Sequence, residues 1–269
     1  MKKRLLGIQF ESQIGSLETN INKMENLLTK NIEKYPSDFI FLPEVWTCGW
    51  DCESFPSCAE HIENSNSINM LKCFAKKYNV NIIGGSFIKK CSDNTLSNCC
   101  PVINRDGDLI ATYEKNHLFS YYGCNEGNYI KAGKNPVLVE IEGVKIGLSI
   151  CYDIRFPELY RAYRKANADI LVNMAAWGKN KKIAWDSMTT SRAVENQSYF
   201  VALTQTGKIK DGENLGHSMI IDYQGNILDE INILEDGIYA TIDLDEMYSF
   251  REKCTILNDI KDSYEVIIK

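Results

Sequence analysis

Apolar and polar residues alternate in several short segments of the chain, and such segments predict β-strands. Residues 144–150 (VKIGLSI) show the pattern clearly, with an apolar side chain at every second position. Longer segments instead repeat their apolar residues every three or four positions, which indicates amphipathic helices over residues 17–35, 67–78 and 182–198. Further strand segments, some of them continuously apolar, are RLLGIQF, DFIFLPE, VNIIGGSFI, ADILVNMAAW, SYFVALTQTG and DGIYATIDL.

The order of these elements indicates the fold class. Strands and helices interleave, but hairpins are also predicted around RDG (105–107) and QGN (224–226), so the sheets should be mixed. No change in composition, low-complexity linker or internal repeat divides the sequence. We therefore predict a single α/β domain over residues 1–269.

Composition and charge exclude several classes of partner. The chain of 269 residues is 44% hydrophobic and 25% charged, as in ordinary globular proteins. Its net charge of -6 provides no general basic surface, so nucleic acid is not an expected partner. The apolar run near the N-terminus is interrupted by Gln9, Glu11 and Ser12. The run is therefore too short for a signal peptide or a membrane span. We expect a cytoplasmic protein with no membrane partner.

Ten cysteines raise the questions of disulfides and of a metal site. A chain of this length buries a large core without cross-links, and it shows no signal sequence, so reduced thiols are expected. Cys48, Cys52 and Cys58 lie close in sequence, but the chain has only three histidines and no CxxC pair. We therefore predict no metal, and likewise no cofactor.

Cys151 stands at the corner between the strand at 144–150 and a helix that Pro157 and Glu158 are predicted to open. The positive end of a helix favours a thiolate, so a cysteine that faces a helix start is a candidate nucleophile. By default a cysteine is only a small buried residue, and this context alone distinguishes Cys151 from the others.

A cysteine nucleophile needs a base for its proton and a cation or donor for the oxyanion. Glu44 ends a buried strand segment, a common place for active-site residues in α/β proteins. Lys115 precedes a loop over 116–136 that is rich in Gly, Asn and Tyr, and loops of this length are often functional. Each residue alone is more typical of a solvated charge, but with Cys151 the two form a candidate catalytic set.

Three motifs, FLPE, YEKNHLF and ICYDIRFPEL, resemble in this order the signatures of the carbon-nitrogen hydrolase (nitrilase) superfamily. The likeness extends through most of the chain, including WGKNKKIAWDSMTTSRAVENQSYFVALTQTG and GHSMIIDYQGNIL. The resemblance implies an αββα sandwich of mixed sheets whose subunits assemble as a homodimer or a higher homo-oligomer. It also implies a small-molecule amide as substrate, a Glu-Lys-Cys triad and a covalent thioester intermediate.

The resemblance also implies roles for individual residues. Glu44 is the general base for Cys151 and later for the hydrolytic water, and Lys115 stabilises the oxyanion together with the backbone N–H of Tyr152. Glu126 in CNEGNY corresponds to a second acid that members often carry in the loop after the lysine. A solvated loop charge is the alternative for Glu126.

Within the superfamily, the segments HLF, NEGNYIKAG, CYDIRFPE, AW and RAVENQ most resemble the ω-amidase branch. Enzymes of that branch hydrolyse the terminal amide of 2-oxoglutaramate and 2-oxosuccinamate. The carboxylate of such a substrate implies a second cation, for which Arg155 and Arg192 are candidates. A structural pairing of Arg155 with Glu158 or Asp153 is the alternative, and the sequence slightly favours it.

Aromatic residues near the motifs are candidates for the wall of the substrate pocket. They are Trp177, Phe119 and Tyr121, although aromatic residues at strand ends more often belong to the core. The loop over 120–127 departs from the patterns of the branch, which leaves the choice of substrate open.

Other functions compete with the ω-amidase interpretation. A true nitrilase would differ around the cysteine, whereas a deaminated-glutathione or N-carbamoyl hydrolase would share the triad. The complete triad argues against a catalytically silent scaffold of the same fold. A thiol-redox protein would need a resolving cysteine, and the nearest to Cys151 in sequence is Cys124.

Overall fold

Strands and helices alternate in the computed structural model, which describes residues 1–121, 123–210, 212–261 and 263–268. The strands are β1 (Lys2–Gln9), β2 (Phe39–Phe41), β3 (Asn81–Ile83), β4 (Phe87–Lys90), β5 (Leu96–Ile103), β6 (Leu109–Glu114), β7 (Leu138–Ile141), β8 (Val144–Ile150), β9 (Ile170–Ala175), β10 (Tyr199–Thr204), β11 (Lys208–Ile209), β12 (Gly212–Glu213), β13 (Ser218–Ile221), β14 (Ile227–Ile231) and β15 (Asp236–Asp243). The helices are α1 (Leu17–Lys34), α2 (Phe55–Cys58), α3 (Asn66–Tyr78), α4 (Pro157–Lys165), α5 (Lys182–Asn196) and α6 (Leu244–Lys253).

Two large sheets form the centre of the fold. The first has the order β15-β1-β2-β3-β5-β4, with β6 beside β5, and the second has the order β14-β13-β10-β9-β8-β7. In the first sheet, β1 runs parallel to β2 and antiparallel to β15. In the second, β8 runs parallel to β9 and antiparallel to β7. The prediction of mixed sheets is confirmed.

Alternation along the strands produces the layers. On β1, Leu5 belongs to the core between the two sheets, whereas its neighbour Leu6 packs with α1 and α3 on the outer face. Successive side chains of a strand point to opposite faces, so one apolar segment contributes to two interfaces. Leu159 of α4 and Trp185 of α5 pack against the second sheet. The predicted fold class, an αββα sandwich, is confirmed.

The structure differs from the sequence prediction in two places. The segment VNIIGGSFI forms two strands, β3 and β4, because the chain turns at Gly84 and Gly85. After β15 the chain forms a helix that the sequence does not predict, α6, which buries Leu244 and Met247. Two buried apolar residues in ten positions give too weak a periodicity for the sequence to predict this helix.

The turn between β3 and β4 holds the backbone beside Glu44. Gly85 has a φ of +64°, and a Cβ at this position would lie 2.2 Å from the carbonyl oxygen of Pro43. The backbone N–H of Ser86 donates to that same oxygen at 3.1 Å, and the Ser86 hydroxyl accepts from the N–H of Val45 at 2.9 Å. Glycine is required because both a positive φ and a close backbone approach occur here.

Replacing Gly85 with alanine is expected to lower the free energy of unfolding by about 3 kcal/mol or more, because backbone strain and a steric clash act together. Gly143→Ala is the matched control, since Gly143 has a φ of +75° and an added Cβ would meet nothing within 4 Å. The control should lose only about 1 to 2 kcal/mol. Urea unfolding measures both variants, and equal losses would contradict the role given to the Pro43 contact.

Other features concern the chain as a whole. None of the helices in the described residues is long and apolar enough to span a membrane. All ten cysteines are free thiols. Within the same described residues, no three His, Cys, Asp or Glu side chains cluster as ligands for a metal ion.

Candidate active site

Strand ends from the two sheets meet in one buried cluster. Glu44 follows β2, Lys115 directly follows β6 and Cys151 directly follows β8. Glu44 and Lys115 are fully buried and Cys151 is 6% exposed. Because β2 and β6 belong to the first sheet and β8 to the second, the three side chains meet between the sheets. The structure thus brings together the three residues that the separate motifs singled out.

The carboxylate of Glu44 is held from several sides. Its Oε1 accepts from the ammonium of Lys115 at 2.9 Å and from the side-chain amide of Asn98 at 3.0 Å. Its Oε2 accepts from the backbone N–H of Ala176 at 2.8 Å, and the side-chain amide of Gln205 donates to its carbonyl oxygen at 2.6 Å. A carboxylate with this many donors keeps one orientation, which a general base requires.

Lys115 is a fully buried ammonium between two carboxylates. Its Nζ lies 2.9 Å from Glu44 Oε1 and 2.9 Å from Glu126 Oε2, and 5.0 Å from the ring centroid of Trp50. Burial alone would lower the pKa of Lys115, but the carboxylates of Glu126 and Glu44 outweigh burial and raise that pKa well above its usual value. The lysine is therefore a permanent positive charge beside the cysteine.

Glu126 lies in the core of the site although it belongs to the long loop. It is fully buried, so the alternative of a solvated loop charge is wrong. Its Oε2 accepts from the backbone N–H of Phe119 at 2.8 Å, and its own N–H donates to the Phe119 carbonyl at 2.9 Å. Burial raises the pKa of Glu126, and Lys115 opposes that shift. The residue ties the loop to the lysine.

Cys151 sits at a sharply bent point of the backbone. Its φ is +46°, and it begins a 3₁₀ turn over Cys151–Arg155. The turn is anchored by Asp153, which accepts from the N–H of Ile150 at 2.9 Å and from the hydroxyl of Tyr113 at 2.6 Å. His117 adds two contacts to Asp153, from its backbone N–H at 2.9 Å and from Nδ1 at 2.7 Å. Such strain is common where a nucleophile must project from the end of a strand.

The expected thiolate at Cys151 is not what the structure supports. Burial raises the pKa of the Cys151 thiol well above its usual value, the carboxylate of Glu44 raises it further, and Lys115 opposes the shift. The 3₁₀ turn also separates the cysteine in sequence from α4, which begins only at Pro157, so Cys151 does not directly precede the helix. The thiol keeps its proton, and the carboxylate of Glu44 is the base available to accept it.

A narrow cavity of about 70 Å³ reaches the cysteine. Besides Cys151, its lining includes four residues named as candidates from the sequence, Phe119, Tyr121, Tyr152 and Trp177. The full set is Trp50, Phe119, Tyr121, Cys151, Tyr152, Ala176, Trp177, Gly178, Lys181 and Ile209. Lys181 also lines the cavity, but its sequence context does not indicate a site residue, because it lies in the basic segment KNKK, a composition typical of solvated surface.

Arg155 lies beside this pocket. Its guanidinium carbon is 5.2 Å from the Trp177 ring centroid, 5.5 Å from that of Tyr121 and 6.0 Å from that of Tyr152. Its buried Nε has no hydrogen-bond partner. The slightly favoured pairing with Glu158 or Asp153 is wrong, since no ion pair between Arg155 and any described carboxylate is present and Asp153 anchors the turn instead.

Arg192, the other candidate cation, has a different position. Its Nε and Nη2 donate to the carbonyl oxygen of Ile154 at 3.2 and 2.9 Å, and its Nη1 pairs with Glu195 at 2.9 Å. It therefore supports the turn that carries the cysteine from behind and does not line the pocket that contains Cys151.

Comparison with known proteins decides the family. The family model for carbon-nitrogen hydrolases matches residues 8–252. The chain belongs to the carbon-nitrogen hydrolase family. It is thus a hydrolase that acts on amides, and the resemblance seen in the three motifs is confirmed.

Similar proteins include amidases of known name. The 2-oxoglutaramate amidase of Bacillus subtilis is 36% identical over 266 residues, covering 98% of this chain and all of that protein. The deaminated glutathione amidase of Dictyostelium discoideum is 32% identical over 282 residues, covering 98% and 97%. Among solved structures, Nit3 of Saccharomyces cerevisiae, a nitrilase-superfamily member, superposes with a TM-score of 0.87 at 25% identity over 94% of both chains.

Proposed function

We propose that this carbon-nitrogen hydrolase cleaves the terminal amide of small carboxylated amides, with 2-oxoglutaramate and 2-oxosuccinamate as substrates and the 2-oxo diacid and ammonia as products. The observation that carries the proposal is Arg155, whose guanidinium stacks on three aromatic residues that line the pocket of Cys151. A guanidinium there suits a free carboxylate. The name of the Bacillus subtilis relative supports the same class of substrate.

The first half of the proposed reaction forms a thioester. Glu44 takes the proton of Cys151 while the sulfur attacks the amide carbonyl carbon, so that a C–S bond forms. The ammonium of Lys115 and the N–H of Tyr152 stabilise the negative oxygen of the tetrahedral intermediate. Glu44 then gives the proton to the amide nitrogen, the C–N bond breaks, and ammonia leaves.

The second half hydrolyses the thioester. Glu44 takes a proton from water, the oxygen attacks the thioester carbon, and the C–S bond breaks as the sulfur regains a proton. Glu126 assists by holding Lys115 through its 2.9 Å ion pair and Phe119 through its backbone contact. It therefore fixes both the oxyanion-binding cation and one wall of the pocket.

Hydrolysis of a panel of substrates tests the proposed function. Ammonia release is the readout for every compound except deaminated glutathione, whose cleaved amide releases a dipeptide, so release of that dipeptide is measured instead. The panel contains 2-oxoglutaramate, 2-oxosuccinamate, glutamine, a carbamoyl amino acid, deaminated glutathione and a simple nitrile. We expect kcat/KM for the two keto-acid amides to exceed that for the other compounds by about 100-fold or more, because only they join a short primary carboxamide to a 2-oxo carboxylate without an ammonium group. Preference for any other compound would overturn the proposed substrate and keep the hydrolase assignment.

A second candidate activity is hydrolysis of deaminated glutathione. The observation in its favour is a wider depression of about 860 Å³ whose lining shares Trp50, Phe119 and Lys181 with the inner cavity. A peptide-sized tail would fit there. The Dictyostelium discoideum relative carries this activity in its name. The same panel separates the two candidates.

We also propose that the enzyme is a homodimer or a higher homo-oligomer in the cytoplasm. Free thiols at all ten cysteines are consistent with a reducing compartment. Large apolar side chains on the surface, such as Ile183 at 84% exposure and Ile268 at 94%, favour contact with another subunit. Light scattering coupled to gel filtration measures the mass of the assembly.

A further inference from the structure

Lys181 has a fixed place at the mouth of the inner cavity. It ends the 3₁₀ turn Lys179–Lys181 that precedes α5. The indole N–H of Trp177 donates to its carbonyl oxygen at 3.0 Å, so the pocket wall itself anchors the backbone of this lysine. The side chain is half-buried, in contrast to the exposed Lys179 two residues earlier.

The side chain of Lys181 folds back over the cavity. Its Nζ lies 4.9 Å from the ring centroid of Phe119 and 5.9 Å from that of Trp177, both of which line the pocket. Its Cε is close to Gly178, where an added Cβ would lie 3.7 Å away. The ammonium therefore faces the aromatic pocket, and it is held there by cation–π contacts.

The charge of Lys181 is coupled to the other groups of the pocket. Burial lowers the pKa of Lys181, and the positive charge of Arg155 lowers it further. Both cations lie within 6 Å of the ring centroids of Tyr121 and Trp177, and two like charges around the same rings make each other less favourable. An anion bound between them removes the repulsion and replaces the water that both cations lost on burial.

The chemistry of the two cations limits what can bind. A carboxylate is attracted by both cations, whereas an α-ammonium group in the same place is repelled by both cations. A 2-oxo acid amide and the corresponding amino acid amide differ at that one group, so the pair of cations distinguishes 2-oxoglutaramate from glutamine. Like charges placed together in an interface are strongly unfavourable, which is enough for the enzyme to select against the ammonium group.

We propose that Lys181, together with Arg155, binds the anionic end of the substrate and makes the enzyme select carboxylated amides without an ammonium group over amino acid amides. This inference rests on the proposed function and deepens it, since it names the residue that determines specificity in the same site. The role of Lys181 is substrate binding, and the bond-making steps belong to Glu44, Lys115 and Cys151.

The test compares substrates in Lys181→Met, a variant that keeps the length and the apolar stem of the side chain. The ratio of kcat/KM for 2-oxoglutaramate to that for pentanamide, which has no carboxylate, is expected to fall by about 30- to 100-fold, mainly through KM. The ratio of kcat/KM for glutamine to kcat/KM for 2-oxoglutaramate should rise. Lys181→Arg should keep most of the preference, because it keeps the charge.

Lys179→Met is the matched control. Lys179 lies on the same turn, but its Nζ pairs with Glu213 at 2.6 Å on the surface. The substrate ratio of this variant should equal that of the wild type. Equal losses on both substrates in Lys181→Met would assign Lys181 a structural role, and an unchanged ratio would remove it from the binding site; either result overturns the inference.

The wild-type enzyme separates failure of this inference from failure of the proposed function. If the wild type hydrolyses 2-oxoglutaramate and the Lys181→Met ratio does not change, only the inference is wrong. If the wild type acts on no carboxylated amide, the proposed function is wrong and the inference fails with it. Thermal unfolding of each variant confirms that the comparison is made on folded protein.

Discussion

Cys151→Ala is expected to abolish ammonia release, with a loss in kcat on the order of 10⁶-fold, because the thioester cannot form without the sulfur. The fold should persist, since the change removes one buried atom and alanine keeps the same backbone constraint. The expected loss of stability is about 1 kcal/mol. Steady-state assays and thermal unfolding measure the two effects separately.

Acid quenching followed by mass spectrometry gives a more direct result for Cys151. Wild-type enzyme mixed with substrate should carry an added acyl mass on the peptide that contains Cys151, and Cys151→Ala should carry none. Cys99→Ala is the matched control, because Cys99 is fully buried but packs in the core beneath α1 and α3. The control should lose stability and keep both turnover and the acyl adduct. Turnover retained by Cys151→Ala would remove the nucleophile assignment.

Lys115→Gln is expected to lower kcat by about 100- to 1000-fold, with a smaller effect on substrate binding. The oxyanion that Lys115 stabilises develops only in the transition state, so its loss appears in the chemical step. In the wild type, the Nζ of Lys115 lies 2.9 Å from a carboxylate oxygen of Glu44 and 2.9 Å from one of Glu126, so the same change leaves both buried carboxylates without their cation. Stability should therefore fall by about 3 to 5 kcal/mol.

A double variant separates these two effects of Lys115. Lys115→Gln combined with Glu126→Gln removes one of the uncompensated carboxylates, and much of the lost stability should return. The rate should not return, because the oxyanion still lacks its cation. Urea unfolding and single-turnover kinetics give the two readouts. A raised substrate dissociation constant with an unchanged chemical step would contradict the oxyanion role.

Local patterns predicted most of the elements. The alternation over residues 144–150 correctly indicated β8, because neighbouring side chains of a strand point to opposite faces whatever the rest of the fold does. Periodicity likewise placed α1 and α5 to within one or two residues of their ends. These features depend on the geometry of a short piece of chain, so the sequence of that piece contains the information.

The sequence predicted only part of the chemistry of the site. The motifs around Glu44, Lys115 and Cys151 pointed to the reacting groups, because each couples an unusual residue to a strand end. The sequence could not show that Cys151 keeps its proton, since this depends on burial of the thiol beside Glu44, a residue that follows a strand of the other sheet.

Only the tertiary structure determines which loop residues and which charged side chains become part of the site. Glu126 and Lys181 both lie in polar segments whose composition suggests solvent, yet one is fully buried against Lys115 and the other faces the aromatic pocket. Arg155 has local acids in sequence that it does not pair with. The physical reason is that such contacts join distant parts of the chain. The N–H of Ala176, for example, donates to Glu44 across 132 positions of sequence. No local sequence pattern encodes the energy of a contact that forms only after the sheets have packed.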